Sequence, residues 1–236
     1  MTATLICSKE EANVIRGFRD RKEAGRLLAE KLAAYMNRPD VIVLALPRGG
    51  VPVGFEVAKA LHAPLDVVIV RKLGVPGQEE LAMGAIATGG MQVLNKLVVR
   101  SLGISEAEIE SAAARERLEL ERRERLYRGA RPAPDIAGRT VILVDDGIAT
   151  GTTMRVAITA LKKQQPSRIV VAIPVAAWAT CEDLECEVDE VVCLLSPEDL
   201  MAIGTWYADF TQVPDQEVCD LLERADREAH PAAARH

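Results

Sequence analysis

Histidine is rare in this 236-residue chain, with three in all, and none of its five cysteines (Cys7, Cys181, Cys186, Cys193 and Cys219) forms a Cys-x-x-Cys pair. A zinc centre built from these ligands is not expected, and the odd cysteine count speaks against a disulfide framework. Reduced, mostly buried thiols in a cytosolic protein are the simplest reading. No apolar run approaches the ~20 residues of a membrane span, and the N-terminus lacks a basic-then-apolar signal. A soluble, cytoplasmic protein with no membrane partner is expected. Blocks of basic residues are also missing and the net charge is −6, so a nucleic-acid partner is not expected. Neither Gly-x-x-x-x-Gly-Lys-[Ser/Thr] nor Gly-x-Gly-x-x-Gly occurs, which removes two common nucleotide-binding loops. Internal repeats and low-complexity segments are absent.

What the chain has is a large apolar share, 49%, beside 27% charged residues, enough for one globular domain over 1–236 with a good-sized core. It is organised around Val141-Ile142-Leu143-Val144-Asp145-Asp146-Gly147-Ile148-Ala149-Thr150-Gly151-Thr152-Thr153. Four apolar β-formers predict a strand buried on both faces. Two carboxylates follow at its end, then a small, hydroxyl-rich loop and a helix from Met154 to Lys163. Loop N–H groups and the positive helix end suit a phosphate, and the carboxylates can accept hydrogen bonds from sugar hydroxyls. Asp-Asp after a strand is by itself an ordinary turn; the thirteen residues together are what point to a sugar-phosphate site.

Two more strand ends carry candidate anion contacts. Val41–Leu46 predicts a buried strand running into Pro47-Arg48-Gly49-Gly50-Val51-Pro52. There two glycines permit close backbone approach, Arg48 offers a fork of donors, and Pro52 suits the first turn of a helix to about His62. Leu65–Val70 predicts a second strand, with Arg71 and Lys72 at its carboxyl end. Elsewhere, Ser8 and Glu11 have capping-box spacing, and a helix is predicted over Arg19–Met36 with Ala24, Leu27, Leu28, Leu32 and Tyr35 on one face. Residues 84–88 and 91–95 predict a hairpin with a two-residue glycine turn. A long helix over Ser105–Arg128 has its own capping-box pair, Ser105 and Glu108, and i,i+4 pairs Glu119–Arg123, Glu121–Arg125 and Glu124–Arg128. Further strands are predicted at 140–145, 168–173 and 191–195, with a short helix from Trp178 and a last helix over Asp215–Arg227. The fold class expected is α/β: a mainly parallel central sheet flanked by helices, with right-handed crossovers. The core spans about 19–95 and 139–195, a helical insertion about 96–138, and a small C-terminal hood with the last helix about 196–228. Ligands in open α/β sheets bind at the strands' carboxyl edge, where all three candidate loops lie.

Val141–Thr153 resembles the phosphoribosyl-pyrophosphate (PRPP) binding motif of type I phosphoribosyltransferases: an apolar strand, two acids, two variable residues, then small-Thr-Gly-x-Thr. It departs from that pattern at Gly147, where an aliphatic residue is commoner. The resemblance implies transfer of a 5-phosphoribosyl group from PRPP to a nitrogen nucleophile, a nucleobase being the leading acceptor, with pyrophosphate released. It implies Mg²⁺ as cofactor, held through PRPP and not by a dedicated protein cage. Ala149, Thr150, Gly151, Thr152 and Thr153 would hold the 5-phosphate, and Asp145 and Asp146 would act on the ribose as catalytic carboxylates. Arg48, Gly49 and Gly50 occupy the place of the family's pyrophosphate loop. Val70-Arg71-Lys72-Leu73-Gly74 resembles a string in adenine phosphoribosyltransferases, which makes Arg71 and Lys72 further pyrophosphate candidates. Residues 77–81 are candidates for the tip of the family's mobile loop. Trp206 and Tyr207 fall in the hood that holds the base, and aromatic faces suit a flat heterocycle. A homodimer is a family habit. A PRPP-binding regulator without turnover is the alternative reading, and the acceptor stays open among purines, pyrimidines, other nitrogen nucleophiles and water.

Overall fold

The computed structural model describes residues 4–6, 17–129 and 131–229; the helix expected around Ser8–Glu11 lies outside them. Its centre is a parallel sheet of β1 (Thr4–Ile6), β2 (Val41–Ala45), β3 (Leu65–Val67), β7 (Thr140–Val144), β8 (Arg168–Val175) and β9 (Glu190–Leu195), in the order β1-β9-β8-β7-β2-β3. Every pair in it is parallel. The neighbouring interior strands β7 and β2 are buried throughout, as unbroken aliphatic runs covered on both faces should be. β1 was not anticipated; three residues carry too little pattern to mark a strand.

Alternation divides the sheet's side chains between two layers. Val41, Val43, Ala45, Ile142 and Val144 share a core with α1 (Arg21–Lys31), α2 (Gly50–Leu61), α4 (Glu106–Arg128) and α7 (Asp215–Ala229). Ile42, Leu44, Val141 and Leu143 pack instead on α5 (Thr152–Lys162) and α6 (Trp178–Glu185). The first predicted helix is shorter than its pattern suggested. Asp20 caps it by accepting from the Glu23 N–H, α-geometry ends at Lys31, and Ala33–Tyr35 continue as a 3₁₀ turn.

The strand expected over 65–70 is two. β3 ends at Val67, although the Val68 N–H still reaches Ala45 O. Ile69 then exchanges bonds with Thr88, donating its N–H to Thr88 Oγ1 at 2.9 Å and accepting the Thr88 N–H at 2.8 Å. The chain thereby enters a second, antiparallel sheet of β4 (Val70–Val75), β5 (Gln78–Ala87) and β6 (Met91–Leu94). The glycine turn joins β5 to β6, but with Thr88, Gly89 and Gly90 in a three-residue loop, since Ala87 pairs with Met91. Ala85 and Ala87 of this sheet pack on Val156 and Ala160 of α5. α3 (Lys96–Ser101) follows, capped by Asn95.

In α4 the capping box of Ser105 and Glu108 forms in both directions, and all three anticipated ion pairs are present, the shortest Arg123–Glu119 at 2.8 Å. Ile109, Ala113, Leu120 and Tyr127 are its buried stripe. The pattern did not reveal Arg128. This residue is buried at the end of α4, with Nε 3.0 Å from Asp66 Oδ1 and Nη2 donating to Val67 O at 2.7 Å. It ties the long helix to the end of β3, where the chain leaves the main sheet. Replacing Arg128 by Leu should cost about 3 kcal/mol in urea unfolding, because Asp66 is left charged and unpaired. The loss should shrink when Asp66→Asn is added; an equal loss in both backgrounds would show that the ion pair is not its source.

Candidate active site

β2 and β7 are neighbours, with Ala45 opposite Val144, so the segments leaving them emerge side by side. The Leu46 N–H donates to Val144 O at 2.9 Å, and the peptide joining Pro47 to Arg48 is cis. Residues 48–50 then pass directly over the acidic pair. A Cβ on Gly49 would lie 2.0 Å from Asp146 Oδ2, and one on Gly50 would lie 2.9 Å from the Asp145 Cα. A side chain at Gly49 would displace the Asp146 carboxylate, and one at Gly50 would strike the backbone at Val144 O and the Asp145 Cα, so both positions call for glycine.

Asp146 is held from three directions. Its Oδ2 accepts from Arg21 Nε at 2.7 Å, in a pair whose side chains are only 11% and 13% exposed. Its backbone carbonyl accepts from the Tyr207 hydroxyl at 2.5 Å, and its N–H donates to Asp145 Oδ1 at 2.8 Å. Arg21 also donates to Thr211 O at 2.8 Å and lies 3.9 Å over the Phe210 ring. A cleft of about 400 Å³ opens beside it, walled by Asp20, Lys22, Asp209, Thr211 and Glu217. Burial, reinforced by the charge of Asp146, raises the Asp145 pKa well above the usual carboxylate range; the Asp146 N–H and Arg21 pull the other way.

Beyond the pair, Ile148 pairs in parallel with Ala176. Gly151 takes a left-handed conformation (φ +73°) and serves as the N-cap of α5. Among the described residues the Arg155 N–H bonds Gly151 O, whereas the six preceding N–H groups, Ala149 through Met154, have no protein acceptor. A strand end, two fixed carboxylates and a row of free donors at a helix N-terminus therefore stand together.

The sequence of residues 19–199 matches the family model described as the phosphoribosyl transferase domain. The chain belongs to this phosphoribosyltransferase family. It is 45% identical over 217 residues to a Mycobacterium tuberculosis H37Rv protein provisionally named a phosphoribosyl transferase, covering 92% of this chain and 49% of that one. It thus spans about half the length of the curated relatives it matches. The bifunctional protein PyrR of Brevibacillus brevis is 31% identical over 110 residues, 44% of this chain and 60% of PyrR. Among solved structures, TT1426 of Thermus thermophilus is similar at 45% identity with a TM-score of 0.77, covering 88% of this chain and 98% of that one.

In this member of the family the other anticipated contacts fall in different places. Arg48 joins the site's rim, with Nη1 3.7 Å from Asp215 Oδ1, which also accepts from the Tyr127 hydroxyl at 2.5 Å. Arg71 and Lys72 do not sit at the end of a parallel strand. They lie within antiparallel β4, where Arg71 Nε is 2.8 Å from Glu116 of α4. Residues 77–81 are the Pro76-Gly77 turn and the start of β5. Trp206 is partly buried on the main core. Tyr207 is 6% exposed, its ring between those of Phe18 and Phe210, 5.3 and 5.0 Å away. That makes it a strut under Asp146 and not an open platform. Arg21 escaped the sequence reading because 125 residues separate it from its partner and nothing distinguishes it from other charges in a first helical turn. The departure at Gly147 has a packing cause: a Cβ there would lie 2.4 Å from Cγ2 of Ile203, so the hood's isoleucine fills the space.

A raised Asp145 pKa means that the folded protein without ligand holds this proton more tightly than the unfolded chain does. Its contribution to stability is therefore complete below the unfolded pKa of about 4 and declines as pH rises through the folded value. Asp145→Asn keeps an oxygen for the Asp146 N–H and removes that decline. The variant's thermal midpoint should exceed that of the parent by a margin that grows from pH 5 to pH 8. A margin independent of pH would refute the assignment.

Proposed function

We propose that this chain transfers the 5-phosphoribosyl group of PRPP to a nitrogen nucleophile, a nucleobase being the leading class, with release of pyrophosphate. The observation that carries this reading is the run of six acceptor-free N–H groups, Ala149 to Met154, beside the half-buried Asp145 and the buried Asp146. Such a run at a helix N-terminus is an anion site, and carboxylates next to it fit a polyol carrying that anion. Family membership and the close passage of residues 48–50 agree with it.

In this reading the loop 149–153 holds the 5-phosphate through N–H donors and the hydroxyls of Thr150, Thr152 and Thr153. Asp145 and Asp146 accept from the two ribose hydroxyls. Gly49 and Gly50 let the backbone after β2 approach the diphosphate, and Arg48 turns from Asp215 to it. Arg71 is neutralised by Glu116 and contributes less than the sequence suggested. As the bond from C1 to the diphosphate lengthens, positive charge grows on the ribose ring, and the fixed carboxylates stabilise it. The incoming nitrogen attacks C1, so no side-chain nucleophile is needed. Asp145 and Asp146 supply hard oxygen atoms that would be compatible with Mg²⁺ carried in by PRPP. When bound, the ion offsets charge on the diphosphate.

The deciding measurement is pyrophosphate release from PRPP and Mg²⁺ across a panel of purines, pyrimidines and other nitrogen nucleophiles. Release that depends on one class names the acceptor. Binding of PRPP without release by any member would favour the regulatory reading. In a base-dependent reaction, Asp145→Asn with Asp146→Asn should lower kcat by at least about a hundredfold, the loss typical of removed electrostatic stabilisation. Unchanged turnover in that variant would overturn the roles given to the pair.

A further inference from the structure

The free donors of the 149–154 segment are half of a pattern whose other half lies in the carbonyls. In a trans peptide the C=O and the following N–H point in opposite directions, and the cis bond at Pro47–Arg48 is elsewhere in the chain. Four successive carbonyls of the loop are engaged. Ile148 O accepts from the Ala177 N–H at 3.3 Å, and Gly151 O accepts from the Arg155 N–H at 2.9 Å. Between them, Ala149 O accepts from Thr180 Oγ1 at 2.8 Å and Thr150 O from Arg155 Nη1 at 3.4 Å.

The two side chains in this set are themselves anchored. Thr180 is 8% exposed in the first turn of α6, and its methyl is the nearest neighbour of Gly151, 3.0 Å from where a Cβ would stand. Arg155 is fixed by Asp183 of α6 at 2.7 Å and by Glu187, just beyond that helix, at 2.8 Å. The carbonyls are thus drawn toward α6 and the start of α5, and the N–H groups of Ala149, Thr150, Gly151 and Thr152 are turned the other way as a consequence.

We propose that Thr180, supported by Arg155, is a positioning residue for anion binding: by holding the carbonyls of Ala149 and Thr150 it orients the loop's N–H groups toward the phosphate of the substrate. Neither residue touches the phosphate, and Thr180 lies outside the motif that marks the loop. The inference rests on the phosphoribosyl reading above and adds to it the reason the loop binds without a ligand to shape it. A loop whose peptide planes are set in advance loses little ordering entropy on binding.

Calorimetric titration of the full chain with ribose 5-phosphate, and separately with Mg²⁺-diphosphate, tests it. Thr180→Val keeps the shape and removes the donor; Thr180→Ser keeps the donor. The valine variant should bind ribose 5-phosphate about tenfold more weakly, the scale of one lost hydrogen bond and a freed peptide. The serine variant should stay within about twofold. Diphosphate affinity should be unchanged in both. Equal ribose 5-phosphate affinity in parent and valine variant would overturn the inference alone, as would a parallel loss for both ligands, which marks a general structural defect. A parent chain that does not bind ribose 5-phosphate would overturn the phosphoribosyl reading and this inference with it.

Discussion

The close packing of residues 48–50 on Asp145 and Asp146 is the constraint on which the site depends. It follows from the sheet, because β2 and β7 are adjacent, in register and buried on both faces, so the chain leaving each has nowhere to go but past the other. It is possible only because two side chains are missing, at Gly49 and Gly50. Once the two segments touch, the acidic pair is partly desolvated, and that desolvation accounts for the raised Asp145 pKa. Arg21 and Tyr207 answer the same burial at two atoms of Asp146. Buried acceptors need donors, and Arg21 at the start of α1 supplies one to the carboxylate while the Tyr207 hydroxyl, from the hood, supplies one to the backbone carbonyl.

The main sheet could be read from the sequence because its strands are long aliphatic runs ending in turn residues. The strand, acidic pair, loop and helix of the 141–162 segment could be read because all these parts are consecutive in the chain. α4 was legible down to individual ion pairs, since capping boxes and i,i+4 spacing act over one or two turns. Failures arose where a contact spans the chain. Leu65–Val70 has the composition of one strand, and its division depends on Thr88, which takes Ile69 for the hairpin, and on Arg128, which caps the end of β3. The same division moved Arg71 from the end of a parallel strand to the second position of antiparallel β4. Tyr207 looked like a ligand platform because an aromatic cluster has no sign of its own; only its burial and its hydroxyl bond to Asp146 O show that it supports the site from below.

The hood is fixed more firmly to the body than an appended lid would be. The Phe18 N–H donates to Trp206 O, and the N–H groups of Ala208 and Asp209 donate to Phe18 O and Arg19 O. The strip preceding α1 is therefore hydrogen-bonded along the hood, and Arg21, three residues on from Phe18, reaches both Asp146 and Thr211. Ile203 enters from the same hood to fill the space at Gly147. Side chains that could have come from the loop itself come from the hood instead, so the shape beside the acids is set jointly by two segments more than 50 residues apart in sequence. A substitution in the hood is thereby linked to the geometry of the acids, although the hood carries none of the motif.

For a chain with net charge −6, the proposed binding of an anion beside two carboxylates calls for a local solution, and the site offers the parts of one. Charge at a distance is screened over about 10 Å at moderate salt, so what matters is what lies within a few ångströms. There, Arg21 offsets Asp146, and the raised pKa of Asp145 weakens the second negative charge while no ligand is present. The N–H groups at the start of α5 add partial positive charge without a counterion to displace. Arg48 is kept near the rim by Asp215 across 3.7 Å, a contact of half-exposed groups that holds weakly and can be exchanged for a diphosphate oxygen. Donors brought by ribose hydroxyls would in turn favour the charged form of Asp145, since a hydrogen bond to a carboxylate lowers its pKa. Bound sugar would thereby favour negative charge on Asp145 at the place where positive charge at C1 has to be stabilised.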